Sequence, residues 1–300
     1  MYQTIVLYDK IKERGVSIMN REKLDLLESK LLELVEGEIK EIIESTRKNM
    51  VVVEEKSDGD SATIADVKIG ELFDTLMPKW LEGSLVIQEE SFNEEVYNKI
   101  KSTKYIWVVD PIDGTKAFRD TTNSEWCVGV ALFEDLNPIL SLVYIPEPWL
   151  GEPYLLSAHD KRDVIYNYGK EFKFNELDAT KYVSHIHRDT NRNDTENKIA
   201  SLFGNNEIIR AYAGHSTLAQ FSEVSINKNK VFTRRSANIW DITQAAYLIE
   251  KSGGAVYYEN GKRIFPLDLN VLEYQDCHLL MPFTIASSIE AKEKILKTIK

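Results

Sequence analysis

The residues in this 300-residue chain with the clearest chemical potential are Asp110-Pro111-Ile112-Asp113-Gly114-Thr115. The apolar run Tyr105-Ile106-Trp107-Val108-Val109 reads as a buried strand that delivers Asp110 to its carboxyl end. Pro111 stiffens the exit, and Gly114 permits the sharp turn that would bring Asp113 to the same point in space as Asp110. Two adjacent carboxylates repel unless a cation lies between them. Hard cations such as Mg²⁺ select oxygen ligands, typically carboxylates plus substrate phosphate. The amides of Gly114 and Thr115, with the Thr115 hydroxyl, suit a phosphate cradle at a turn or helix start. Taken alone, the same run also reads as a turn in which Asp110 caps the following helix.

Other carboxylates stand in equivalent places. Glu89-Glu90 ends the short run Leu85-Val86-Ile87, and Asp241 stands at the head of a helical pattern. Separately, these read as a solvated charge pair and as an acid favoured at a helix start. Combined with Asp110 and Asp113, they read as the oxygen-rich lining of a cation site.

These side chains need a scaffold, and the pattern supplies one. Leu24, Leu27, Leu31, Leu34, Val35, Ile39 and Ile42 predict an amphipathic helix over 21–46. A polar loop follows at 54–61, and Thr63 opens a second helix with Pro78 near its end. Strands are predicted at 85–87, 105–109, 126–133, 139–145 and 153–157. Residues 158–200 are weakly patterned. Beyond them come a strand at 207–213, a helix at 216–226 and a strand at 230–233. A helix over 239–251, closed by Gly253-Gly254, is followed by a hairpin signal at Asn260-Gly261. A strand over 278–286 and a helix over 289–299 end the chain. This mixed order predicts an α+β protein of layered sheets and helices, with subdomains 1–150 and 151–300. Residues 1–18 precede the first helical pattern and read as an extension outside the fold.

Composition narrows the function classes. Hydrophobic residues make up 43% and charged residues 28%, an ordinary globular balance. The net charge of −11 argues against a nucleic acid polymer or an anionic membrane as partner. No apolar run approaches the roughly 20 residues that a spanning helix needs, and the amino terminus does not read as a secretory signal. Cys127 and Cys277 match no metal-ligand spacing and read as buried thiols of a reducing, cytoplasmic protein.

Four segments resemble the inositol monophosphatase family of metal-dependent, often lithium-sensitive sugar phosphatases. Lys56-Ser57-Asp58-Gly59-Asp60-Ser61-Ala62-Thr63-Ile64-Ala65-Asp66 is similar to its K-x-D-x-S-x-V-T-x-A-D segment, with Ala62 where Val is usual. Gln88-Glu89-Glu90-Ser91 is similar to G-E-E-S, with Gln88 in place of Gly. WVVDPIDGTKAF at 107–118 and WDITQAAYLIEKSGG at 240–254 resemble its two signatures. The resemblance implies an αβαβα layered sandwich with the site between its halves. It implies that Glu89, Asp110 and the Ile112 carbonyl hold one Mg²⁺, and that Asp110, Asp113 and Asp241 hold a second. A third, weaker ion would lie near Glu89. Asp66 and Thr115 would orient the attacking water, with Glu89 also serving catalysis, and the Gly114 and Thr115 amides would grip phosphate. Small phosphorylated substrates and a homodimer are implied as partners.

The substrate end departs from the inositol-selective pattern, in which an acidic residue shortly precedes W-D. Here Arg234 and Arg235 occupy that neighbourhood, and Lys116 follows Thr115. Arginine suits a second phosphate or a carboxylate, and equally an ordinary surface ion pair. The pattern resembles the 3′(2′),5′-bisphosphate nucleotidase branch, although Ala117 stands where that branch commonly has Glu. The 56–66 segment also resembles histidinol-phosphate phosphatases. His215, in a small-residue turn, is a further candidate for the substrate side. A non-catalytic metal- or ligand-binding protein with the same fold is the alternative from another class.

Overall fold

The computed structural model describes residues 19–49, 52–55, 61–119, 125–147, 152–172, 183–185, 194–203, 216–226 and 230–299. Residues 1–18, the strand expected at 207–213 and His215 lie outside them.

The first helix, α1 (Arg21–Leu34), starts where the Asn20 side chain accepts the Lys23 N–H at 2.9 Å. It continues through a π-helical turn (Val35–Ile39) into α2 (Lys40–Lys48). A small hairpin, β1 (Val52–Glu55) with β2 (Ser61–Thr63), leads into α3 (Ile64–Trp80). Then β3 (Leu85–Gln88), α4 (Glu94–Lys99) and β4 (Tyr105–Asp113) follow, with the short α5 (Thr115–Arg119) after the turn at Gly114. Next come β5 (Cys127–Glu134), β6 (Asn137–Ile145), β7 (Tyr154–His159), β8 (Tyr166–Asn167) and β9 (Lys170–Glu171). Strands β3 to β9 form one sheet in sequence order, β3 parallel to β4 and the rest antiparallel. This sheet runs past residue 150 to Glu171.

The later elements are β10 (Val183–His185), α6 (Asp194–Phe203), α7 (Thr217–Ile226), β11 (Lys230–Arg234), β12 (Ala237–Asn238), a 3₁₀ turn (Ile239–Asp241) and α8 (Thr243–Lys251). They are followed by β13 (Ala255–Tyr258), β14 (Glu273–Gln275), β15 (His278–Met281), β16 (Thr284–Ser287) and α9 (Lys292–Ile299). A four-stranded sheet has the order β10-β11-β16-β13, and a three-stranded one β12-β15-β14.

The layers follow from strand alternation. On β4, Trp107 and Val109 join the core under α1–α3, whereas Ile106 and Val108 join the core with α7 and α8. With both faces covered, the strand reads as a continuous apolar run. The four-stranded sheet repeats the arrangement. Phe232, Val256 and Ala286 face α7 and α8, while Val231, Ala255 and Ile285 form a third core with Ile199 of α6 and Ile295 of α9. The order is helices, seven-stranded sheet, helices, four-stranded sheet, helices: the expected αβαβα sandwich.

Two expectations are corrected. The strand predicted over 278–286 is two strands, β15 and β16, in different sheets. Pro282 lies between them and lacks the N–H that a continuous ladder would need. Cys277 is exposed, not buried. It shares with Asp276 a two-residue turn in which both have positive φ, 47° and 63°, and the tight hairpin leaves its side chain in solvent.

Candidate active site

Parallel pairing of β3 and β4 sets Gln88 beside Val109, so the next residues, Glu89 and Asp110, leave the same edge of the sheet. Asp113 reaches that edge through a bulge. On β4 the step from Asp110 to Asp113 is opposed on β5 by the shorter step from Gly129 to Cys127. In a regular strand residues three apart face opposite ways; the extra residue turns Asp113 toward Asp110. The 3₁₀ turn after β12 brings Asp241 from the other half, with Trp240 fully buried beneath it. Carboxylate oxygens of Asp110, Asp113 and Asp241 all lie within 4.8 Å of one another. Glu89 is outside that tight group, yet its charge acts on all three.

The electrostatics are those of an uncompensated anionic nest. Burial, then the charges of Asp113, Glu89, Asp241 and Asp66, push the Asp110 carboxyl well above the usual range. Burial, then Asp113 and Glu89, do the same to Asp241. Burial pushes Asp113 up to about 7, against hydrogen bonds from Ser216 and Leu218. Both carboxylate oxygens of Asp110 are buried without a hydrogen-bond partner. Buried polar atoms are almost always paired, so this carboxylate fits a cation ligand better than a helix cap.

Asp113 is held from one side. Its Oδ2 accepts the Ser216 hydroxyl at 2.6 Å and the Leu218 N–H at 2.5 Å, at the start of α7. Ser216 Oγ in turn accepts the Ala219 N–H at 2.8 Å and lies 3.2 Å from Cys127 Sγ. Gly114 makes this approach possible. Its φ is +86°, and a Cβ there would stand 2.9 Å from Ser216 N and 3.1 Å from the Glu125 carbonyl.

Asp66 has a double assignment. Its Oδ2 accepts the N–H and hydroxyl of Thr63, at 2.7 and 2.5 Å, closing the capping box of α3. Its Oδ1 lies 3.2 Å from the Thr115 hydroxyl, which also lies 3.1 Å from the Ile112 carbonyl. Burial raises its carboxyl to about 6, despite the Thr63 hydrogen bonds.

The two arginines part. Arg235 is committed to the buried Glu196 of α6, Nη2 to Oε2 at 2.6 Å and Nε to Oε2 at 3.2 Å. Of the two roles open to it in the sequence, the geometry matches the surface ion pair. Arg234, one position earlier at the end of β11, is half-buried, and its charge acts on Asp113 and Asp241. Lys116 is exposed on α5. Sequence reasoning missed Ser216 and Thr63 as partners of the site carboxylates. Thr63-Ile64-Ala65-Asp66 has capping-box spacing, which was the available signal, and Ser216 stands where a helix cap is favoured.

The sequence model of the inositol monophosphatase family matches residues 24–294. Among curated proteins, the chain is similar to a 3′(2′),5′-bisphosphate nucleotidase CysQ of Buchnera aphidicola. The match is 40% identical over 62 residues, 21% of this chain and 22% of the relative. It is also similar to a 3′(2′),5′-bisphosphate nucleotidase of Schizosaccharomyces pombe, 24% identical over 188 residues, 55% of this chain and 52% of the relative. These matches span from about a fifth to about half of the relatives' lengths. The fold is shared with a solved IMPase/NADP phosphatase in complex with Mg²⁺ and phosphate. The TM-score is 0.68 at 20% identity, covering 92% of this chain and 95% of that one.

Proposed function

Because the chain belongs to the inositol monophosphatase family, we propose that it is a magnesium-dependent phosphomonoesterase acting on a small phosphorylated substrate. The observation that carries this reading is the buried Asp110 carboxylate, without hydrogen-bond partners, facing Asp113 and Asp241. Asp110, Asp113 and Asp241 would hold one cation, and Glu89, Asp110 and the Ile112 carbonyl a second; a third, weaker ion would lie near Glu89. Bound divalent ions supply Lewis acidity and neutralise charge at the transferring phosphoryl group.

The protein's own part is positioning and proton handling. Asp66 holds the Thr115 hydroxyl proton, leaving the Thr115 oxygen to accept a hydrogen bond from the attacking water. A carboxyl titrating near 6 is ionised at neutral pH and basic enough to receive the water's proton through Thr115. The Gly114 and Thr115 amides would bind phosphate oxygens, with Lys116 adding positive charge at the rim. His215 is retained as a substrate-side residue on the strength of the sequence alone. Phosphoryl transfer needs placement and charge neutralisation more than covalent participation, so direct attack by water is the reaction.

The division into subdomains 1–150 and 151–300, the second contributing Asp241, is part of this reading. Among the described residues no helix is long and apolar enough to cross a membrane. A cytoplasmic setting is inferred from two cysteines without a disulfide, and a homodimer from the family resemblance.

The test is Mg²⁺-dependent phosphate release from a broad panel of phosphate esters, with Asp110→Asn as control. The expected result is turnover that Asp110→Asn reduces by several orders of magnitude. No hydrolysis of any ester by the metal-loaded protein would reject the enzyme reading in favour of a binding protein.

A further inference from the structure

The turn that carries Glu89 is tied at both ends to one oxygen of α3. Gln88, the last residue of β3, donates from Nε2 to Asp74 Oδ2 at 2.9 Å, and the Ser91 hydroxyl donates to the same oxygen at 3.3 Å. The acceptor-only carboxylate fixes which end of the Gln88 amide faces it. Between these two anchors the backbone closes on itself, Ser91 N–H to the Gln88 carbonyl at 3.3 Å. Glu89 and Glu90 are the residues inside that loop. Asp74 stands about two turns beyond Asp66 on the same helix. One rigid element therefore carries Asp66 and also holds the turn that presents Glu89, whose charge acts on Asp66.

Gln88 is an unfavourable choice for stability at this place. It is 3% exposed, and its Oε1 is buried with no hydrogen-bond partner. Leucine, of similar size, would fill the space without an orphaned oxygen. The helix makes room for the amide with a glycine in its interior, itself unfavourable there. A Cβ on Gly70 would stand 2.7 Å from Gln88 Oε1 and 2.9 Å from Nε2. Gln88 is also the position at which this chain departs from the G-E-E-S segment. Two local costs thus meet at one hydrogen bond, and that bond fixes the residue directly before Glu89.

We propose that Gln88 and Asp74 are positioning residues that set Glu89 for cation binding, with Gly70 providing the space that admits the Gln88 amide. This rests on the phosphomonoesterase reading, in which Glu89 is a Mg²⁺ ligand. The competing accounts are that the contact only packs β3 against α3, or that Asp74 acts through its charge.

The experiment is calorimetric Mg²⁺ titration of the full-length protein, with Glu89→Gln marking the binding step that Glu89 serves. Gln88→Leu should weaken that step about tenfold, the lower end of the range for groups that orient a metal ligand. Denaturant unfolding without Mg²⁺ should show Gln88→Leu at least as stable as wild type. Asp74→Ala should weaken Mg²⁺ binding by at least as much, whereas Asp74→Asn, which keeps an acceptor oxygen, should stay close to wild type. Gly70→Ala, which pushes the amide off Asp74, should reproduce the loss. In a Glu89→Gln background, Gln88→Leu should change Mg²⁺ binding no further. In turnover, the Mg²⁺ concentration for half-maximal rate should rise about tenfold in Gln88→Leu, with kcat recovering at saturating Mg²⁺.

Unchanged Mg²⁺ binding in Gln88→Leu would overturn the proposal in favour of packing. Equal losses in Asp74→Asn and Asp74→Ala would overturn it in favour of charge. A further loss in the Glu89→Gln background would also overturn it, because the effect would then bypass Glu89. If Asp110→Asn abolishes Mg²⁺ binding but Glu89→Gln leaves it as in wild type, the proposal fails and the phosphatase reading stands. If neither alters Mg²⁺ binding, both fail. Should Gln88→Leu not fold, the exposed Asp74 decides: a loss in Asp74→Ala that Asp74→Asn restores supports the proposal, and any other result overturns it.

Discussion

Substitution Ser216→Ala probes whether α7 tunes the carboxylate cluster or merely packs beside it. Ser216 Oγ has one proton and two lone pairs. The proton goes to Asp113 at 2.6 Å, and the lone pairs receive the Ala219 N–H and the Cys127 thiol. A buried hydrogen bond to a charged group contributes about 1.5–3 kcal/mol. The Leu218 N–H still donates to the same oxygen of Asp113, so the lower end, ~1.5 kcal/mol, is the expected loss. At about 1.4 kcal/mol per unit, this raises the Asp113 carboxyl by about one unit above its present value of about 7. At pH 7 the variant's Asp113 is then mostly protonated, and a cation must displace that proton. Apparent Mg²⁺ affinity should fall about fivefold at pH 7, where the wild-type carboxyl is itself only half ionised, and return close to wild type at pH 9, where both proteins are ionised. Calorimetric Mg²⁺ titrations at the two pH values measure this directly. The pH–rate profile should shift to higher pH by about one unit, and Ser216→Thr should restore much of the effect. Loss of the helix cap adds about 1 kcal/mol of destabilisation at both pH values. Equal loss of affinity at pH 7 and pH 9, or no loss at either, would refute the reasoning.

Other expectations follow from the same geometry. Asp113 and Asp66 titrate near 7 and 6 when folded, but near 3.8 when unfolded. The metal-free fold therefore takes up protons relative to the unfolded chain between about pH 4 and 7, and this cluster's stabilisation, complete below pH 4, is lost as pH rises through 7. Melting temperatures with Mg²⁺ and with EDTA should accordingly differ more at pH 8 than at pH 5; an equal gap would reject the cluster as the cation site. Gly114→Ala introduces a Cβ 2.9 Å from Ser216 N at a φ of +86°. Denaturant unfolding should show a loss of about 2 kcal/mol or more, with phosphate release reduced as well. Glu28→Gln leaves Arg162, bound in a two-pronged pair at 2.8 and 2.5 Å with both side chains 8% exposed, without its counter-ion. The expected cost is about 3 kcal/mol in unfolding free energy, with kcat unaffected, because neither residue adjoins the carboxylate cluster.

What the sequence made legible was chemistry encoded locally. The apolar run ending in Asp110 announces a strand buried on both faces, and the spacing from Asp110 to Thr115 announces a turn rich in oxygen donors. Both are statements about a few adjacent residues, and both correspond to β4, its bulge and the Gly114 turn. The break at Pro282 was also local, but the apolar run on either side of it outweighed one missing N–H. The partners of the carboxylates were not local. Ser216 meets Asp113 across 103 residues of chain, and only the packing of α7 against β5 creates that contact. The two arginines show the limit most sharply. Adjacent and chemically identical, they cannot be distinguished by composition or spacing; the alternation of β11 sends one toward Glu196 and the other toward the carboxylates. A motif can therefore point to phosphate-ester hydrolysis without pointing to a particular ester. The proposed chemistry rests on residues held together by one strand and its turn, whereas the surroundings of that turn depend on which face of a distant strand meets it.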